Sequence, residues 1–163
     1  MPPDSPKSTD LRQAALHWLV ENDAVQKAAG VRRLAQAWAE GEHSLDVGMA
    51  PGITVTPGHP AKPELVSPLR VKRRAMNTPE GRAAMIHALV HIEFNAINLA
   101  LDALWRFADM PRDYYADWLQ VADEEALHFT LLAEHLKTQG YAYGDFTAHN
   151  GLWDMAVTYW SLW

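Results

Sequence analysis

Two glutamates and one histidine have the residue types and the spacing to bind a shared metal ion. Glu125 and His128 form a Glu-x-x-His sequence, which places both on the same side of a helix. The apolar residues around them recur at helical spacing, and Glu93 lies in a similar apolar stripe between Leu89 and Ile97. A carboxylate in an apolar stripe is costly to bury unless a cation or strong donors meet it. The pattern therefore predicts that Glu93, Glu125 and His128 are metal ligands.

These three residues can meet only if the two helices that carry them fold back on each other. Pro111 interrupts the apolar pattern and has a helical pattern on either side. Glu93 lies 18 positions before Pro111 and His128 lies 17 positions after it. At about 1.5 Å per residue, both are at nearly the same depth from the turn. An antiparallel hairpin therefore brings Glu93 opposite Glu125 and His128.

One glutamate from one helix and a Glu-x-x-His from another make up half of the ligand set of a di-iron carboxylate site in a helical bundle. The other half is a further Glu and a further Glu-x-x-His, and the sequence has no second Glu-x-x-His within a predicted helix. The alternative without a metal is a core network in which Glu93 hydrogen-bonds to His128. Such a network gives less reason for three polar groups to share one apolar seam.

Other residues capable of chemistry are weaker candidates. His87 and His91 are four positions apart and could chelate an ion, but they point away from Glu93, and a solvated or loop-packed face is favoured. Glu124 is the alternative to Glu125 and is less well phased with the stripe. A basic cluster could contact a phosphate-bearing partner such as nucleic acid, although a solvated run or an anchor on the acidic half is favoured. It consists of Arg70, Lys72, Arg73 and Arg74.

The composition excludes several classes of site. The 163 residues include no cysteine, which excludes disulfides, thiolate zinc sites, iron–sulfur clusters and cysteine nucleophiles. Any metal must therefore use His, Asp or Glu. The net charge is −6, and residues 83–163 hold 3 basic and 11 acidic side chains, so these acids cannot all pair with Lys or Arg. No apolar run reaches the length of a membrane span and no signal-peptide core is visible, so we expect a cytoplasmic protein without membrane contact.

The chain divides into three segments. Residues 1–41 predict an N-terminal helical extension of two helices, capped by Asp10 and Asp23 and stopped at Gly41. Residues 42–77 contain five prolines and predict an extended connector that wraps the surface. Residues 78–163 predict the hairpin and the start of a further helix near residue 150.

The hairpin has strong start and stop signals. Thr78 is a good N-cap, Pro79 suits the first helical position, and no proline then interrupts the pattern before Pro111. The second helix is expected to run from about Arg112 to Gln139, with Gly140 just past its end.

These residues resemble a known family, the DUF455 group of ferritin-like proteins. The resemblance rests on His91-Ile92-Glu93 with the following Ala96 to Ala103, and on Trp118 with Glu124 to Phe129. It continues through residues 140–145 and 149–156, and it is dense over about 79–160. It implies an all-α, ferritin-like bundle with a dimetal carboxylate centre that holds two iron or manganese ions, in which Glu93, Glu125 and His128 match the ligands of the first half.

The function that the resemblance implies is that of a non-haem iron oxidoreductase or oxygenase acting with dioxygen, peroxide or a small-molecule substrate. The alternatives are an iron-storage protein and a metal-free helical interaction module. The second half of the site is not found in the sequence, so the chain is expected either to be part of a longer protein or to pair as a two-fold dimer. The N-terminal helices could instead fold over the hairpin and close the core within one chain.

Overall fold

A computed structural model describes residues 9–162, which form a helical bundle. The described part of the chain contains no β-strand, only two isolated bridges that join Asp10 to Ser44 and Leu65 to Ala148. The prediction of an all-α fold is therefore confirmed. The α-helices are α1 (Leu11–Leu19), α2 (Ala24–Ala39), α3 (Pro79–Arg106), α4 (Arg112–Thr138) and α5 (Gly151–Trp160), and a short 3₁₀ helix spans Pro68–Arg70.

The helix ends lie at the capping residues that the sequence indicates. The side chains of Asp10, Asp23 and Thr78 each accept hydrogen bonds from backbone amides in the first turns of α1, α2 and α3. Such bonds satisfy amide groups that have no partner inside the helix. Gly41 and Gly140 follow the ends of α2 and α4 with φ angles of 77° and 83°, a left-handed conformation that glycine adopts without steric cost.

The first hairpin helix ends earlier than expected. The sequence predicts a helix as far as Met110, but α3 ends at Arg106. Asp109 has a φ of 56°, and the Tyr115 hydroxyl donates to the Phe107 carbonyl at 2.9 Å and lies 3.3 Å from the Met110 amide. These contacts between the turn and the buried Tyr115 stabilise a five-residue break that proline and glycine positions alone do not reveal.

The N-terminal helices complete the bundle within one chain. α1 packs on α3, α2 packs on α4, and α3 and α4 form the expected antiparallel hairpin. The shared core is apolar and fully enclosed at Leu11, Leu19, Val31, Leu101 and Leu104. One face of the hairpin is thus covered by α1 and α2, as in the second of the two arrangements that the sequence left open.

Two buried cations fasten the connector to the bundle. Arg12 donates to the carbonyl groups of Met49, Ala50 and Trp105. Lys27 has no exposed surface, and its ammonium group donates to the carbonyls of Leu19 at 3.1 Å and Gly58 at 2.7 Å and to Asn98 Oδ1 at 2.6 Å. Charged groups are tolerated inside a protein when hydrogen bonds of this kind meet them. The connector is therefore an integral part of the fold.

One helix of the described chain is long and apolar enough to cross a membrane by length and composition. This helix is α3, and half of its most apolar window is buried inside the bundle. The core helix of a soluble protein has the same length and composition, so this feature is weak support for a membrane span.

Candidate metal centre

The hairpin brings the three predicted ligands together. Glu93 lies near the middle of α3, and Glu125 and His128 lie one turn apart on α4. One ligand atom from each residue lies within 4.8 Å of the other two. His128 Nδ1 lies 3.2 Å from Glu125 Oε2. The three residues meet because Glu93 and His128 lie at nearly equal distances from the turn at Pro111.

The expected burial of this group in the bundle core is wrong. The side chains of Glu125 and His128 are 25% and 50% exposed, and Glu93 is half-buried. In the stripe predicted for α3, Leu89 is also exposed, whereas Ile97 is fully buried. The three residues therefore lie on the outer face of the hairpin, opposite the face that α1 and α2 cover.

Polar residues occupy part of the inner face of α3, where the sequence predicts an apolar stripe. The interior side of α3 carries five buried polar side chains at helical spacing, and each of them has a hydrogen-bond partner. The five residues are His87, His91, Asn95, Asn98 and Asp102. The loop after α4 supplies partners to His87 and His91, and Lys27 of α2 donates to Asn98. These partners lie far away in the chain, so helical periodicity does not reveal them. Asn95 and Asp102 instead contact residues four positions away on α3 itself. The apolar stripe predicted for α3 is therefore buried in its second half, at Ile97, Ala100 and Leu104, and exposed near Leu89.

The two carboxyl groups of the site influence each other strongly. Partial burial, together with a hydrogen bond to Glu125 and its negative charge, raises the pKa of Glu93 to about 7. The same hydrogen bond and the neighbouring His128 lower the pKa of Glu125. Between the lowered pKa of Glu125 and about pH 7 the pair therefore shares one proton, which it loses as the pH rises through 7. A cation that replaces this proton relieves the repulsion between the carboxylates.

We expect the stability of the metal-free protein to fall with rising pH because of Glu93. A carboxyl group whose pKa is raised in the folded state binds more protons there than in the unfolded chain, so stability is lost as the pH rises from about 4.5 through 7. His87 and His91 act in the opposite direction because their pKa values are lowered in the fold. The contribution of Glu93 is therefore measured as the difference in free energy of unfolding between the natural protein and Glu93→Gln.

Urea unfolding at pH 5, 6, 7 and 8 measures this difference. The Glu93→Gln protein should gain stability relative to the natural chain as the pH rises. Glu124→Gln is the matched control, because Glu124 is exposed on the same helix and bonded to Gln120 at 2.9 Å. If the two variants show the same pH dependence, Glu93 and Glu125 do not share a proton.

The donor set of the site suits a divalent cation. Two carboxylates and one imidazole are ligands that iron(II), manganese(II) and zinc(II) accept. Three side chains leave coordination positions of a six-coordinate ion open. Two ions need more ligands than Glu93, Glu125 and His128 provide, so these residues fit half of a dimetal centre.

The other candidates are engaged elsewhere. His87 and His91 are buried against the loop that follows α4: the Gly144 amide donates to His87 Nε2 at 3.0 Å, and His91 Nδ1 lies 2.8 Å from the Tyr143 hydroxyl. Their packing against a loop was one of the two placements that the sequence favoured. In the basic cluster, Arg74 pairs with Glu80 at 3.1 Å and stacks on Phe146 at 4.8 Å.

Comparison with known proteins places the chain in a family. Residues 20–161 match the family described as "Protein of unknown function (DUF455)". The chain is also 56% identical over 104 residues to a protein of Haemophilus influenzae whose printed name is "Uncharacterized protein". That alignment covers 60% of this chain and 36% of the relative, so the chain spans about a third of the relative's length. No solved structure matches the sequence. The match over residues 20–161 shows that the chain belongs to the DUF455 family.

Proposed function

We propose that the chain is a ferritin-like metal protein in which Glu93, Glu125 and His128 bind iron or manganese. The observation that supports this most is the convergence of the three ligand atoms within 4.8 Å on the outer face of the hairpin. The raised pKa of Glu93, caused first by burial and then by Glu125, adds support because it indicates two carboxyl groups that lack a cation.

The proposed activity is that of a non-haem oxidoreductase or oxygenase, with iron storage as the alternative within the same site. Glu93, Glu125 and His128 would hold the iron, which when bound would supply redox chemistry with dioxygen or peroxide. The chain's own part is to hold the ion with Glu93 and Glu125 and with one nitrogen of His128. Glu93 would release its proton to solvent when the ion enters. A cytoplasmic location and a small-molecule substrate remain predictions.

Metal binding by the protein tests the proposal directly. Manganese(II) in solution has an electron paramagnetic resonance signal that weakens on binding, so titration gives both affinity and stoichiometry. We expect one tight site per chain, and we expect Glu93→Gln and His128→Ala to weaken binding at least tenfold, about 1.4 kcal/mol. Glu134→Gln, on an exposed position of the same helix, should leave binding unchanged. Equal binding by all four proteins would contradict the proposed ligands.

An interaction surface is the second candidate function, and it rests on exposed apolar side chains beside the site. Leu89 lies one turn before Glu93 on α3, and Val121 and Leu131 flank the other two ligands on α4. Each of the three is between 37% and 55% exposed. Apolar groups that are grouped on one face favour association. Such a face could pair helices with or without a metal ion.

We expect a second copy of the chain to pair on this face, which would bring another Glu93, Glu125 and His128 to the site. A two-fold axis through the face places the same residues on both sides of the contact. Light scattering at low micromolar concentration should give a dimer mass, and Leu131→Glu should give a monomer. Gln26→Glu, which adds the same negative charge at an exposed position of α2, serves as the control for surface charge. A natural protein that stays monomeric with manganese bound would contradict the dimer and leave the single-ion site intact.

A further inference from the structure

A cavity lies on the opposite side of α3 from the metal centre. It has a volume of about 180 Å³ and is enclosed between α3, the end of the connector and the segment that precedes α5. This volume is below the range of pockets that hold drug-sized ligands, so an occupant would be smaller than such a ligand. The cavity shares no residue with Glu93, Glu125 and His128.

One wall of the cavity presents a buried donor that has no partner. His87 is 1% exposed, and its Nε2 accepts the Gly144 amide hydrogen at 3.0 Å. Because burial lowers the pKa of His87 to about 4, the ring is neutral near pH 7 and its single hydrogen must be on Nδ1. Within residues 9–162, Nδ1 has no hydrogen-bond partner, although it is not sealed from solvent-accessible space. The ring therefore offers an N–H group to the cavity.

Asn95 provides a second polar group of this kind. It is 3% exposed, and its amide lies 3.2 Å from His91 Nε2. That nitrogen also lies 2.9 Å from the His149 carbonyl, which can only accept, so it must carry a hydrogen. Asn95 Nδ2 occupies this position, and two donors cannot bond to each other, so we assign the amide in the turned orientation, with its oxygen toward His91 and its NH₂ group free to donate elsewhere.

Cationic side chains stand at the rim, and apolar ones form the rest of the wall. Lys72 and Arg74 line the cavity, and no acidic residue does. The guanidinium of Arg74 bonds Glu80 through Nε and the Lys72 carbonyl through one terminal nitrogen, which leaves the other terminal nitrogen without a partner. Ile92, Phe146 and Leu152 contribute apolar surface. Asp145, whose charge acts on His87, accepts the Ala142 amide hydrogen at 2.7 Å and does not line the cavity.

We propose that this cavity binds a small organic carboxylate with an apolar body. The N–H of His87 and the NH₂ of Asn95 would donate to the carboxylate, and Arg74 would balance its charge. The apolar part of the ligand would lie against Ile92 and Phe146. A neutral apolar molecule would leave the donors unpaired, and a bare inorganic anion would leave the apolar wall uncovered, so both should bind more weakly.

Calorimetric titration with benzoate tests the proposal on the full chain. Benzoate should bind saturably with a dissociation constant on the order of 1 mM or tighter. Benzamide and inorganic phosphate should each bind at least tenfold more weakly. Equal affinity for benzamide would overturn the assignment of a carboxylate, equal affinity for phosphate would overturn the apolar requirement, and no saturable benzoate binding would overturn the site.

Two variants locate the binding without touching the buried network. Ala88 lines the cavity on the exposed side of α3, so Ala88→Phe should fill the space and abolish benzoate binding. Arg74→Gln should weaken it at least tenfold, whereas Arg73→Gln, which changes the neighbouring residue that does not line the cavity, should leave it unchanged. Unaltered melting temperatures show that the variants are folded. Benzoate affinity that survives Ala88→Phe, or that falls equally in Arg73→Gln, would place the binding elsewhere and overturn the proposal.

Discussion

Addition of manganese(II) or iron(II) should raise the melting temperature of the metal-free protein by about 5–10 °C. A ligand that binds only the folded state and is present at 100 times its dissociation constant stabilises it by about 2.7 kcal/mol, and 1 kcal/mol shifts the melting temperature of a chain of this size by about 2–4 °C. Glu93, Glu125 and His128 are close enough to contribute to this binding together. The melting temperature is measured by circular dichroism, with iron(II) kept free of oxygen.

Glu125→Ala should remove this rise. The substitution deletes the carboxylate that contacts both other ligands, and it also removes the negative charge beside Glu93, so the metal-free variant should melt at or slightly above the temperature of the natural protein. Glu124→Ala is the matched control, because it removes the same charge from the adjacent position. A rise of equal size in Glu125→Ala would mean that the ion binds to other surface carboxylates.

Lys27→Met should cause the largest loss of stability, about 2–4 kcal/mol, because it removes a donor from three buried oxygen atoms. Within residues 9–162, two of them, Gly58 O and Asn98 Oδ1, are left without a donor, whereas the Leu19 carbonyl still accepts the Gly58 amide hydrogen at 2.9 Å. The oxygen atoms belong to Leu19, Gly58 and Asn98 and lie between 2.6 and 3.1 Å from Lys27 Nζ. Methionine has a similar length and keeps the packing on Phe94, over whose ring the ammonium lies at 4.8 Å. The free energy of unfolding in urea measures the loss.

The pH dependence of this loss gives a second measurement. Burial lowers the pKa of Lys27 to about 7, so between about pH 7 and 10.5 the unfolded chain binds more protons than the folded one. The natural protein should therefore gain stability relative to Lys27→Met as the pH rises through this range. Lys137→Met, at an exposed position of α4, should change stability by less than about 1 kcal/mol at any pH. A Lys27→Met protein as stable as this control would show that Lys27 does not fix the connector.

Local signals in the sequence were sufficient to identify the helices. Asp10, Asp23 and Thr78 carry the side-chain oxygens that start a helix, and Gly41 and Gly140 supply the conformation that ends one. The end of α3 was placed four residues too late, because the break depends on the contact between Tyr115 and Phe107. Such a contact joins two elements and leaves no trace in local propensity.

The candidate site was predicted only in part, because its position relative to solvent also depends on contacts between elements. Glu93, Glu125 and His128 come together because their distances from the turn at Pro111 match, and these distances can be counted in the sequence. Their exposure could not be counted in this way. It depends on which side of the hairpin α1 and α2 cover, and that choice is made by packing between elements far apart in the chain.

The sequence by itself therefore determined the secondary structure, the hairpin register and the identity of the candidate ligands, because each of these follows from spacing along one or two helices. The tertiary structure decided the inner face of α3. For His87 and His91 the sequence left a solvated face and a loop-packed face open. Both residues, and Asn98 as well, are buried because Gly144, Tyr143 and Lys27 supply their hydrogen-bond partners. A polar side chain can be buried wherever a distant segment satisfies it, and that condition is met only in the folded chain.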